Sequence, residues 1–131
     1  VRLLLDTHVL LWWLADDAKL SKAARALIAN PDHDILVSAA SLWETAIKTA
    51  LGRLEIELDD LEDAIAGNGF RPLPIGFQHA LTAGRLPPVH RDPFDRMLVA
   101  QASVEELRIV SHDPIFERYA LSGQGLPPII V

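Results

Sequence analysis

Short runs of leucine, isoleucine and valine, each too brief for a helix, alternate along this chain with longer stretches whose apolar residues recur at helical spacing. Arg2–Leu5, Ile35–Ser38 and Arg108–His112 read as strands, and their near-continuous apolar character is that of strands covered on both faces. Arg71–Ile75 is a weaker strand, because Pro72 and Pro74 suit only a sheet edge. Ile129–Val131 forms a last edge strand. Between them the pattern predicts helices over about Thr7–Ala15, Ser21–Asn30, Ala39–Leu51, Leu58–Ala66, Phe77–Gly84, Asp92–Val104 and Asp113–Tyr119. The breaks are marked by Pro31, Gly52, Gly67-Asn68-Gly69 and Pro87-Pro88. Strand–helix alternation of this kind requires crossover connections, so the expected fold is α/β: a three-layer α/β/α sandwich with a central, mostly parallel sheet of about five strands. No repeat, low-complexity tract or long linker divides the 131 residues, and one domain over 1–131 is expected.

Composition narrows the setting. Half of the residues are hydrophobic, and the mean hydropathy is +0.19. The longest obvious apolar run, Val9 to Ala15, falls far short of the ~18 residues a membrane span needs. A secretory signal is not expected either, since Asp6 interrupts the apolar start and no small-residue cleavage site follows. The surplus apolar surface is therefore expected to meet a protein partner as well as the core. The absence of cysteine excludes disulfides, zinc ribbons and thiol nucleophiles and suits a reducing cytoplasm, the expected location. A net charge of −6 is a poor match for bare nucleic acid, so an RNA substrate would require bound cations near its phosphates.

Ligands of an open parallel sheet bind beyond the carboxyl ends of its strands, and several carboxylates are expected there. Asp6 ends the first strand and Asp113 the Ile109–His112 run. Glu44 lies in the second turn of the helix after Ile35–Ser38, and Asp92 and Asp95 open the helix at Asp92-Pro93-Phe94-Asp95. Each has an ordinary structural explanation. Asp92-Pro93 and Asp113-Pro114 match an N-cap with proline at the first helical position. Asp95 complements a helix dipole, Asp6 can cap the helix at Thr7, and Ser41-x-x-Glu44 matches a capping box. Glu44 resists that explanation best, because its neighbours at helical spacing are Ala40, Ile47 and Leu51, with Lys48 the polar exception. A buried anion must pair or bind metal, and only Lys48 and Arg96 are local basic candidates. Clustered acids repel one another unless a cation binds, and oxygen donors without cysteine favour Mg²⁺ or Mn²⁺ over zinc. With no serine–histidine–acid arrangement and no glycine-rich phosphate loop, the residues themselves point to metal-dependent hydrolysis of a phosphoryl or nucleotidyl bond.

Four segments carry a family resemblance. Leu3-Leu4-Leu5-Asp6-Thr7-His8-Val9-Leu10-Leu11-Trp12 resembles the opening of PIN domains, within a bacterial VapC-like subgroup. Ser41-Leu42-Trp43-Glu44 resembles the second acidic motif of these domains, His90 to Ala102 the third, and Val110-Ser111-His112-Asp113-Pro114-Ile115-Phe116 the fourth. The motifs keep the family's order from residue 3 to 116. The resemblance implies an endoribonuclease, the toxin of a toxin–antitoxin pair, in which Asp6, Glu44, Asp95 and Asp113 form the acidic quartet that holds Mg²⁺ or Mn²⁺. It also implies products with 5′-phosphate and 3′-hydroxyl ends, and partners comprising RNA, a cognate antitoxin and a second copy of the chain. Asp92 is then a cap, an outer-shell acid, or both, and Thr7 and Ser111 are candidates to hold a water or phosphate.

His8, His90 and His112 flank motif acids, and the resemblance gives none of them a metal role; His33 and His79 read as ordinary surface or loop residues. Val9–Leu14 is apolar on every side, as a fully buried helix or an interface helix would be. Two other functions stay open: a metal-dependent small-molecule phosphohydrolase, and a non-catalytic PIN-like binding module. The haloacid-dehalogenase pattern fails because His8 stands where a second aspartate belongs. A receiver domain fails for want of its phosphoacceptor aspartate and lysine, and an HD phosphohydrolase for want of further histidines.

Overall fold

In the computed structural model, which describes residues 1–131, five strands form one sheet in the order β3-β2-β1-β4-β5, and every neighbouring pair is parallel. The strands are β1 (Arg2–Leu5), β2 (Asp34–Ser38), β3 (Arg71–Leu73), β4 (Arg108–Ser111) and β5 (Ile129–Ile130). Seven helices connect them: α1 (Thr7–Leu14), α2 (Lys22–Ala29), α3 (Ala39–Ala50), α4 (Leu58–Gly67), α5 (Phe77–Arg85), α6 (Pro93–Glu105) and α7 (Ile115–Leu121). The proline-bearing β3 and the short β5 are the edges, where a missing N–H costs nothing in the ladder.

The two-residue repeat of a strand divides the core between the two faces of the sheet. Leu3 and Leu5 of β1, Ile35 and Val37 of β2 and Val110 of β4 face one side, where they pack with Val9, Ala24 and Ile65. Leu4, Leu36 and Ile109 face the other, with Leu98, Phe116 and Tyr119. Helices therefore cover both faces, which is the three-layer arrangement the sequence pattern predicts. No helix is long and apolar enough to cross a membrane.

The apolar helix α1 is neither enclosed nor free. Val9 and Leu10 are buried and Leu11–Leu14 half-buried. Trp13 packs on Phe70 with ring centroids 6.2 Å apart, while its indole N–H donates to Asn68 Oδ1 at 3.0 Å. Part of the apolar surplus is thus satisfied within the chain.

The sheet order also fixes where a ligand can enter. From β1 the chain first builds outward through β2 and β3, then returns to the opposite side of β1 to lay down β4. The carboxyl ends of β1 and β4 therefore flank the point where winding reverses, the place where such sheets leave a crevice for ligands.

Candidate metal centre of clustered carboxylates

Asp6 follows β1 directly at this crevice. Its backbone N–H continues the ladder to Val110 O at 3.0 Å, and its side chain caps α1 by accepting from the Thr7 N–H at 2.7 Å. The second oxygen accepts from the Ser111 hydroxyl, at the end of β4, at 2.7 Å. The residue is 4% exposed. Burial, helped by the Glu44 charge, pushes the Asp6 carboxyl above its usual range, against the opposing effects of Ser111, His8 and Thr7. The hydroxyls of Ser111 and Thr7, candidates to hold a water or phosphate, both bond protein groups. Thr7 Oγ1 donates to Ser41 Oγ at 2.9 Å.

Glu44 is 5% exposed, on the buried side of α3. The capping box is not formed: α3 starts at Ala39, with Ser38 as its cap accepting from the Ala40 N–H at 2.9 Å. Ser41 is already inside the helix, so Glu44 has no capping duty. Its partner is Lys48 one turn on, at 2.7 Å. Arg96, the other basic candidate, is engaged elsewhere and donates to the carbonyls of Ala83, Leu86, Pro87 and His90. The apolar stripe around Glu44 also ends sooner than its spacing suggests, since Leu51 beyond the helix is 62% exposed.

Asp92 and Asp95 separate into two roles. Asp92 caps α6, one carboxylate oxygen accepting from the Phe94 and Asp95 N–H groups at 2.9 and 3.1 Å. Asp95 lies half-buried in the first turn, 3.0 Å from His90 Nε2. Its carboxyl is pushed up to about 7, first by burial and then by the charges of Asp92 and Asp6, with His90 opposing. Repulsion acts on Asp6 from Glu44 and on Asp95 from Asp6, so Asp6 lies within electrostatic range of both other acids. The T-shaped contact of Trp43 and Phe94, 5.3 Å between centroids, closes α3 on α6 beside Glu44 and Asp95.

Asp113 stands apart from this mutual repulsion. It is half-buried, its N–H donates to Ser111 Oγ at 2.9 Å, and its carboxylate accepts from the Ile115 N–H at 3.0 Å. It is linked to Asp6 through the shared Ser111 hydroxyl. Here α7 starts two residues later than expected, with Pro114 in the cap position. His79 departs from expectation more sharply: it is 6% exposed. Its Nδ1 accepts from the Gly76 N–H and its Nε2 lies 3.0 Å from Glu105, because α5 packs along α6.

Capping by Asp92 can be separated from any part it has in cation binding. Asp92→Ala removes the cap of α6 and should cost about 1 kcal/mol in denaturant unfolding, whereas Asp92→Ser keeps an acceptor and should cost only a few tenths. If Asp92 acts only as a cap, Asp92→Ser binds divalent cations as wild type does; a lost titration signal would place it in the cation site.

A parallel sheet wound about β1, with buried and mutually repelling carboxylates where winding reverses, matches a known class. The PIN domain family's sequence profile matches residues 3–121, and the chain belongs to that family. Among its relatives, ribonuclease VapC22 of Mycobacterium tuberculosis is 32% identical over 117 residues, covering 84% of this chain and 85% of the relative. The fold is shared with VapBC2 of Rickettsia felis, solved bound to a DNA fragment from its promoter. That likeness has a TM-score of 0.62 at 13% identity, over 91% of this chain and 93% of the other. A toxin–antitoxin complex from Klebsiella pneumoniae gives a TM-score of 0.61 at 16% identity, over 98% of each chain.

Proposed function

We propose that this protein is a metal-dependent endoribonuclease that hydrolyses RNA phosphodiester bonds in the cytoplasm, as the toxin of a toxin–antitoxin pair. The observation that carries the reading is a buried Asp6 within electrostatic range of both Glu44 and Asp95, with little positive charge beside the three. Lys48 is the one lysine or arginine paired with these acids, and burial and repulsion raise the proton affinity of both Asp6 and Asp95 despite the opposing effects of His8 and His90. Such a set suits a hard divalent cation, Mg²⁺ or Mn²⁺, on oxygen donors. The 32% identity to a ribonuclease across most of both chains supports RNA over a small phosphate ester. The same identity, and the presence of all four acids, argue against an inert binding module.

In this reading Asp6, Glu44, Asp95 and Asp113 hold the cation. When bound, it supplies activation of water for in-line attack and stabilises charge on the scissile phosphate. Ser111 and the Thr7 N–H fix the Asp6 carboxylate from both oxygens, so it meets a cation without rearrangement. Lys48 fixes Glu44, and His90 bears on Asp95. The net charge of −6 leaves phosphate recruitment to the bound cation and the few basic side chains around it. An antitoxin partner and a second copy of the chain have exposed apolar surface to cover. Trp43 and Leu51 on or beside α3 are each 62% exposed, and α1 is half-open.

The test is cleavage of total bacterial RNA by partner-free protein in Mg²⁺ or Mn²⁺, with EDTA as control. Discrete EDTA-sensitive fragments carrying 5′-phosphates are expected, and end mapping identifies the target. Intact RNA across several pools, with cation shown to be bound, would turn the assignment toward a small-molecule phosphohydrolase.

A further inference from the structure

The histidines divide into two groups. His33 Nδ1 bonds Leu27 O at 2.8 Å, His79 bonds Gly76 and Glu105, and His90 bonds Asp95. His8, in the first turn of α1, and His112, just past β4, bond no protein group and are exposed, although both stand beside Asp6. Their rings meet edge to face with centroids 5.5 Å apart. Trp12 packs on both, at 5.9 Å from His8 and 4.8 Å from His112. One donor atom from each of Asp6, His8 and His112 lies within 4.8 Å of the other two. Two elements and one indole thus hold two imidazoles and a buried carboxylate around a single point.

We propose that Asp6, His8 and His112 form a cation position of mixed nitrogen and oxygen donors, selective for a divalent transition metal such as Mn²⁺, Co²⁺ or Zn²⁺ over Mg²⁺. The donor chemistry carries the selectivity: imidazole suits borderline transition metals, whereas Mg²⁺ takes oxygen ligands and sheds water reluctantly. Three protein donors leave further positions to solvent or a phosphate oxygen. The shared ligand is Asp6, whose two oxygens already have defined donors and so a defined orientation. Trp12 limits ring rotation at both histidines, which lowers the ordering cost of ligation. The assignment deepens the nuclease reading, on which it rests for its catalytic consequence but not for binding itself.

The experiment uses the whole chain with metals alone as probes. Co²⁺ titrations are followed by visible absorption and Mg²⁺ titrations by calorimetry, for wild type, His8→Ala and His112→Ala. Each histidine variant should bind Co²⁺ at least about 10-fold more weakly, the low end of what loss of even an outer-shell partner costs, with Mg²⁺ affinity held within about twofold because oxygen ligands remain. Both rings are exposed, so circular dichroism and melting should match wild type. Mn²⁺-loaded wild type adds a measurement independent of any variant: pulsed electron paramagnetic resonance should detect imidazole nitrogen coupling to the ion. Undiminished Co²⁺ affinity in both variants, or Mn²⁺ free of nitrogen coupling, overturns the site. RNA cleavage scored on the same wild-type protein separates the two readings. Nitrogen ligation with intact RNA upholds this site and removes the nuclease, while cleavage with oxygen-only ligation does the reverse.

Discussion

Asp6→Asn should lower metal-dependent RNA cleavage by about 10³-fold or more while leaving the fold as stable as wild type or more so. The loss of cleavage comes from the place of Asp6 in the cluster. It is the acid repelled by Glu44 and repelling Asp95, and the amide that replaces it is a poor ligand for a hard cation. Metal stabilisation of a phosphoryl transition state is worth several kcal/mol, and each 1.36 kcal/mol is tenfold in rate. The unimpaired stability comes from the hydrogen bonds. The amide oxygen can still accept from the Thr7 N–H, and Ser111 can turn its proton and accept from the new NH₂. What disappears is a buried charge whose ionisation the fold already opposes. Cleavage rates and melting temperatures of the two proteins, measured in the same Mg²⁺ or Mn²⁺ buffer, check both halves. A variant that still cleaves within tenfold of wild type would remove Asp6 from the chemistry.

Much of this arrangement was legible because the strands are short and buried on both faces. Leu3-Leu4-Leu5 and Ile35-Leu36-Val37 contain no polar position, which implies helices on two sides and hence a parallel sheet. Once the sheet is parallel, Asp6 and Asp113 must fall at its ligand-binding end, whatever their pairwise distances. Glu44 was legible for a related reason: a lone acid on an apolar helical stripe lies buried. What the sequence did not reveal is how each polar group is satisfied. Arg96 lies one position from Asp95 and reads as a carboxylate partner, yet four carbonyls around the α5–α6 connection take its protons. Those carbonyls belong to the end of α5 and the segment leading to α6, which carry no local signature for a guanidinium. His79 looks like a surface residue until α5 is laid along α6, a tertiary contact that no periodicity encodes. The Ser111–Asp6 bond joins residues 105 positions apart, and the sequence shows only two polar residues at two strand ends.

Without metal, the protein should be more stable at pH 5.5 than at pH 8, by about 2 kcal/mol through Asp95, or roughly 7 °C in melting temperature. The direction of the shift sets the sign. Asp95 holds its proton up to about 7 in the folded state, against an ordinary 3.8 in the unfolded chain, so the folded state binds the proton more tightly. The associated stability is complete below the unfolded value and is lost as pH rises through the folded one. Asp6 is raised as well and acts in the same direction. A divalent cation offsets at high pH the repulsion that the proton relieves at low pH. At a hundredfold excess over its dissociation constant it stabilises by about 2.7 kcal/mol, or roughly 10 °C, and protons should diminish that gain at pH 5.5. Asp95→Asn replaces a repelled carboxylate with a neutral amide. It should therefore melt higher than metal-free wild type at pH 8, show a shallower pH dependence and gain little from Mg²⁺ or Mn²⁺. Thermal melts of both proteins at the two pH values, with EDTA and with saturating cation, read all of these at once. Identical pH profiles for wild type and Asp95→Asn would show that Asp95 does not carry the acid cluster's proton. A cation response that survives in the variant would place the metal on the other acids without it. Burial and repulsion at Asp95 weaken the metal-free fold at neutral pH, and under the proposed function a bound cation would relieve that same repulsion, so stability and function would oppose each other through one carboxylate.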